Sequence, residues 1–191
     1  MTERFISLDE IAGIVNLFGT LTHNTLDNAI VELAFRRGIE TEPEMRQSMI
    51  ATAIDQYRVV AYPSIGDENN ATTNSDLNAA GSANEINEVA MNRLAPGPTA
   101  FPTLPAHAED LPRILETDGQ EIDYEAATRA VVNRLRDDAT RAIANNDTEL
   151  ITYLLDITYD IETWAGTTPD NTNSVADLRH RLDSALTEQY E

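Results

Sequence analysis

The sequence predicts a mostly α protein: an N-terminal three-helix unit with a small β-hairpin, followed by a C-terminal three-helix bundle. Three observations carry that expectation. Apolar residues recur at three- and four-residue spacing in six segments, the period of a helix that buries one face. A short β-prone run, Val59-Val60-Ala61-Tyr62, follows the third of these and stops at Pro63. A polar stretch and then a series of prolines separate the two helical groups.

The first helix opens at Ser7, which with Glu10 spells a capping box, each side chain satisfying the other residue's free backbone N–H. Leu8, Ile11, Ile14, Val15 and Phe18 form its apolar face, and Gly19 ends it. Asn24 with Asp27 is the expected start of the second helix, lined by Leu26, Ile30, Leu33 and Ala34 and closing on Arg36-Arg37-Gly38. Cations in a last turn face the negative end of the helix dipole. Thr41 and Glu44 bracket Pro43 as a third start, with Met49, Ile50, Ala53, Ile54 and Tyr57 as the buried face.

Val59–Tyr62 needs a partner strand, and either Val89-Ala90-Met91 or Arg93-Leu94-Ala95 supplies it. The intervening residues 64–88 are Asn, Thr, Ser, Gly and Ala with scattered acids, too polar to offset their ordering entropy, so a mobile insertion is expected. Three helices and two strands around a long loop make a winged-helix-like layout, with residues 42–58 in the recognition position.

Pro96, Pro98, Pro102 and Pro105 stiffen a connector over 95–111. Phe101 and Leu104 are expected to pack onto the body, and with Trp164 to bridge the two helical units. Asp110 and Pro112 begin a short turn through Leu115. In the C-terminal part, an Asp123 cap precedes the stripe Ala127, Val131, Leu135, Ala139 and Ala142. Asn146 with Glu149 caps Leu150, Ile151, Leu154, Ile157 and Ile161, and Ser174 with Asp177 caps Val175, Leu178 and Leu182. The expected division is therefore 1–63, 64–88, 89–111 and 112–191.

Charge says more about solvent than about chemistry. All 13 basic residues are arginine, against 33 acids, for a net charge of −20 over 191 residues. Such a chain repels itself when compact. Salt relieves the repulsion, because the Debye length falls from about 10 Å at 0.1 M to about 3 Å at 1 M. An acid-rich surface without lysine stems fits a cytoplasm near molar salt, so the acids are a solvent adaptation.

Several function classes drop out. With no cysteine there is no disulfide, thiol nucleophile or thiolate-bound metal. No apolar run approaches the ~18 residues of a membrane span, and the first residues lack a secretory signal pattern. The expected place is the cytoplasm. His23, His107 and His180 stand far apart, without a second ligand at zinc spacing. Asp67-Glu68-Asn69-Asn70 begins like a calcium loop but continues with Ala71 and lacks the following glycine. Asp156 and Asp160, with Glu162 nearby, share a helix face and could hold a hard cation, but a hydrated outer face explains them and Asp137-Asp138 equally. No glycine-rich phosphate loop or nucleophile elbow is present. No catalytic residue, no metal and no cofactor are expected.

The strings LDEIAGIVNLFGTLTHNTLDNAIVELAFRRG (8–38), AFPTLPAHAEDLPRIL (100–115) and LLDITYDIETW (154–164) resemble an acidic haloarchaeal family of unknown function. The resemblance implies a halophilic protein and brings no catalytic residue with it. The function expected is a non-catalytic intracellular interaction or adaptor module with another protein as partner. The alternative is a winged-helix-like, transcription-associated DNA binder using Arg36, Arg37, Arg46 and Arg58.

Overall fold

In a computed structural model, the structure describes residues 6–63, 92–164 and 169–188. The expected insertion 64–88 and the Val89–Met91 strand lie outside those residues. The N-terminal part runs α1 (Leu8–Phe18), β1 (Leu21–Thr22), α2 (His23–Arg36), α3 (Pro43–Asp55) and β2 (Val59–Pro63). After β3 (Asn92–Pro96) come a 3₁₀ turn (Ala108–Asp110), the short α4 (Leu111–Ile114), α5 (Tyr124–Ala144), α6 (Thr148–Trp164) and α7 (Pro169–Glu188). The fold is mostly helical with one small antiparallel sheet, in the order β1–β3–β2.

Arg93-Leu94-Ala95 is the returning strand, in the register Val60↔Ala95, Ala61↔Leu94 and Tyr62↔Arg93. β1 was not expected. It is two residues long and exists through pairing, Leu21 with Leu94 and Thr22 with Arg93. Side chains alternate across a strand, and here the alternation feeds two cores. Val59 and Leu94 join Ile11, Ile14, Phe18, Leu26, Ile30 and Ile50 on one face of the sheet. Tyr57, Val60, Tyr62 and Ala95 join Val131, Leu135, Leu154, Ile157, Ile161 and Leu182 on the other. Helices α5, α6 and α7 pack pairwise against one another, and α5 lies on β2.

The helix starts show which local signals win. Ser7 and Glu10 form the full capping box, at 2.8 and 3.1 Å. The α2 cap is Thr22 instead of Asn24: β1 pairing holds Thr22 extended, and its hydroxyl accepts from the Thr25 N–H at 3.2 Å. At α3 the cap position is Glu42, without a side-chain cap; Thr41 accepts from Arg46 through its carbonyl. Asp147, not Asn146, caps α6, accepting from the Leu150 N–H at 3.0 Å, while Asn146 turns the chain at φ 52°. The last helix begins at Pro169, a residue tolerated in a first turn. Ser174 therefore lies inside α7, where its hydroxyl accepts from Arg136 at 2.7 Å.

The two helical groups meet across the sheet, not along the proline connector. Phe101 is 74% and Leu104 46% exposed, contrary to the expected packing. The strap carrying them presses its backbone, not its side chains, onto α1: the Thr103 N–H donates to the Asp9 carbonyl at 3.0 Å. That approach needs Gly13, since a Cβ there would lie 2.1 Å from the Thr103 carbonyl oxygen. Trp164 does bridge, donating its indole N–H to the Pro96 carbonyl at 3.0 Å.

Candidate functional site

Two features of the surface bear on function: the state of the arginines and the placement of exposed apolar side chains. Each of the four arginines singled out by sequence faces a carboxylate. Arg46 makes a forked contact with Asp27, at 2.7 and 3.2 Å, and donates to the Thr41 carbonyl at 2.8 Å, clamping the first turn of α3 to α2. Its side chain is only 11% exposed. The hydrogen bonds to Asp27 raise its pKa, which keeps the charge fixed in that pair.

Arg58 reaches Asp9 at 2.6 Å, tying the entry of β2 to the first turn of α1, and its guanidinium also lies 5.8 Å from the Phe101 ring centre. Arg37 contacts Glu10 at 3.2 Å, so the residue that completes the capping box also anchors the end of α2. Arg36 pairs with Glu32 at 2.9 Å one turn back, with Asp110 at 3.7 Å. The structure thus uses all four as ties between elements. The cap residue Glu42 is exposed, as are Glu44, Met45, Gln47, Ser48, Ala51 and Asp55 of α3.

A second constellation joins the helical groups. Tyr57, just past α3, holds φ at 56°, a region that side-chain-bearing residues seldom occupy. Its phenol donates to Asp138 at 2.6 Å, and the Arg134 guanidinium stacks 4.5 Å over its ring. Arg134 also donates to the Ile54 carbonyl and, at 3.2 Å, to Asp55. Burial first, then the bond to Asp138, drives the Tyr57 pKa far upward, so the phenol stays neutral. Tyr153 donates to the Gln56 carbonyl at 2.9 Å. A crevice of about 100 Å³ lies alongside, lined by Tyr57, Val59, Val131 and Arg134 among others.

Asp138 corrects one expectation. Its carboxylate is 16% exposed and receives Tyr57, Arg134 and Arg141, so it belongs to this joint, not to a hydrated outer face. Its signal in the sequence was faint, an acid three and four residues from arginines. Asp156 and Asp160 are exposed on α6, and Glu162 pairs with Arg179 at 2.8 Å. The Asp160 pKa is raised, by burial and then by Asp156. Among the described residues no three His, Asp or Glu side chains gather as metal ligands, and no helix is long and apolar enough to cross a membrane.

A family model of unknown function, DUF7109, matches residues 9–187. The chain belongs to that family. The match spans both helical groups and the sheet between them. No curated protein and no solved structure matches the chain.

Exposed apolar side chains are the surface feature that the sequence expectations did not include. On α2, Val31 is 41% and Phe35 78% exposed, and Ile39 just beyond is 39% exposed. Their spacing of four was legible: Leu26, Ile30, Leu33 and Ala34 already supply the buried face, which leaves Val31 and Phe35 outside it. Phe101 and Leu104 form a second exposed group on the strap.

Proposed function

We propose that this member of DUF7109 is a non-catalytic, cytoplasmic protein-interaction module suited to high salt. In this reading the order α1–β1–α2–α3–β2–β3, with the sheet order β1–β3–β2, is a winged-helix-like unit. The three C-terminal helices are a bundle that braces it. The observation that carries the reading is the contrast between committed cations and uncommitted apolar groups. Arg36, Arg37, Arg46 and Arg58 each face a carboxylate, while Phe35 stands in solvent and Phe101, with the Arg58 guanidinium on its ring, stays 74% exposed. Exposed aromatic side chains backed by a rigid scaffold are what a protein partner buries at the centre of an interface.

The topology itself favours a second reading, a DNA-binding protein with α3 in the major groove. Against it, the α3 cap Glu42 and the outward residues Glu44 and Asp55 would meet phosphates with like charge. Recruiting Arg46 to DNA would break its forked contact with Asp27.

Cross-linking at about 2 M KCl, where surface charges are screened beyond a few ångströms, tests the reading. A stoichiometric protein partner, lost on Phe35→Glu or Phe101→Glu, is the expected result. Cross-links to nucleic acid through α3 would replace it with the second reading.

A further inference from the structure

The outer face of α2 differs from what a chain of net charge −20 otherwise presents. The acids of this helix are Asp27 and Glu32, and both are paired, Asp27 with Arg46 and Glu32 with Arg36. Asn24, Asn28, Val31 and Phe35 are exposed along the same face, and Ile39 continues beyond the helix end. The result is an apolar stripe along which every helix carboxylate is already neutralised. Glu40, exposed beside Ile39, is the acid that borders the stripe, and the paired helix acids lower the repulsion that a like-charged molecule meets along the rest of it.

The flank of that stripe also complements itself. Glu32 and Arg36 lie one turn apart on the same side of Val31 and Phe35. Two α2 helices laid antiparallel across a two-fold axis near residues 33 and 34 would set Phe35 of each copy beside Val31 of the other. The same axis brings Glu32 of each copy near Arg36 of the other, which extends the Glu32–Arg36 pair within each helix into a four-charge network about the axis. A parallel two-fold pairing puts the two flanks on opposite sides of the stripe and gives no such match.

We propose that α2 is a self-association face, and that a second copy of this chain covers Val31, Phe35 and Ile39. The proposal rests on the interaction-module reading above and names the partner at one of its surfaces. The stripe alone falls short of the roughly 800 Å² per partner of a stable interface, so the dimer is weak, with a micromolar or higher dissociation constant. It tightens with salt, because screening removes the repulsion between two molecules of charge −20 while apolar burial persists.

Sedimentation equilibrium of the full chain tests this, at concentrations up to about 0.5 mM and in KCl from about 0.2 to 3 M. The expected result is a monomer–dimer equilibrium that strengthens with KCl. Phe35→Glu, at a position 78% exposed and so tolerant of change, should weaken it by about tenfold or more. Arg36→Glu should weaken it too, and the exchange Glu32→Arg with Arg36→Glu should restore it. A wild-type chain that stays monomeric throughout overturns the proposal, as does a dimer indifferent to Phe35→Glu. If that monomer still binds a different protein in cross-linking, the broader reading survives and only the self-association falls.

Discussion

The Tyr57 hydroxyl donates to the Asp138 carboxylate at 2.6 Å, linking residues 81 positions apart in the sequence. That bond fixes the corner between α3 and β2 against the middle of α5. A buried hydrogen bond to a charged acceptor contributes about 2 kcal/mol. Tyr57→Phe should therefore lower unfolding stability by about that amount in urea, with the helix content unchanged. The phenol is held neutral by burial, so its pKa lies above the ordinary 10.0. Stability from this group is complete below about pH 10 and declines above it, as the unfolded phenol ionises first. The decline should be shallower in Tyr57→Phe.

Gly13 is the point where the strap touches α1. Adding a methyl there drives a Cβ to 2.1 Å from a backbone oxygen, and backbone cannot yield as a flexible side chain would. Gly13→Ala should cost about 1–3 kcal/mol despite the better helix propensity of alanine. Thermal melts read the loss. Faster amide exchange at Thr103, whose N–H donates to Asp9, locates it.

Asp160 gives a pH dependence of the opposite sign to most carboxylates. Burial and the neighbouring Asp156 raise its pKa above 3.8 in the folded chain, so folding favours the protonated acid. The stability it supplies is present in acid and is lost as pH rises through the raised value. Asp160→Asn should melt slightly above wild type at neutral pH and converge with it below about pH 3. Asp160 is exposed, so solvent screening keeps the difference small.

Salt should stabilise the chain as a whole. With 33 acids against 13 arginines, folding concentrates like charge, and the Debye length of about 10 Å at 0.1 M leaves much of it unscreened. Raising KCl to about 2 M should lift the melting temperature by several degrees. A melting temperature indifferent to salt would leave the acids in need of another explanation.

Much of this architecture was legible in the residues, because the strong signals are local. The Ser7–Glu10 box, the apolar face of α1 and the stripe of α5 appear where three-to-four spacing and capping chemistry put them. β1 was not legible: two residues carry no alternation, and Leu21 becomes a strand only by meeting Leu94. The α2 cap moved to Thr22 for the same reason. Phe101 and Leu104 misled because apolar character alone suggests burial, whereas Gly13 lets the strap's backbone take the contact. The arginine partners were equally hidden. Asp27 and Arg46 stand 19 residues apart, Asp9 and Arg58 49 apart, and no periodicity marks such pairs.

Whether those arginines serve the fold or a phosphate backbone is decided by fluorescence anisotropy with labelled duplex DNA, run from about 0.2 to 2 M KCl. No saturable binding is expected at any salt. Arg46→Ala should lower stability by about 1 kcal/mol, the scale of a well-formed ion pair near the surface. Saturable binding that weakens with salt, and weakens again in Arg46→Ala with Arg58→Ala while the melting temperature holds, would contradict this expectation.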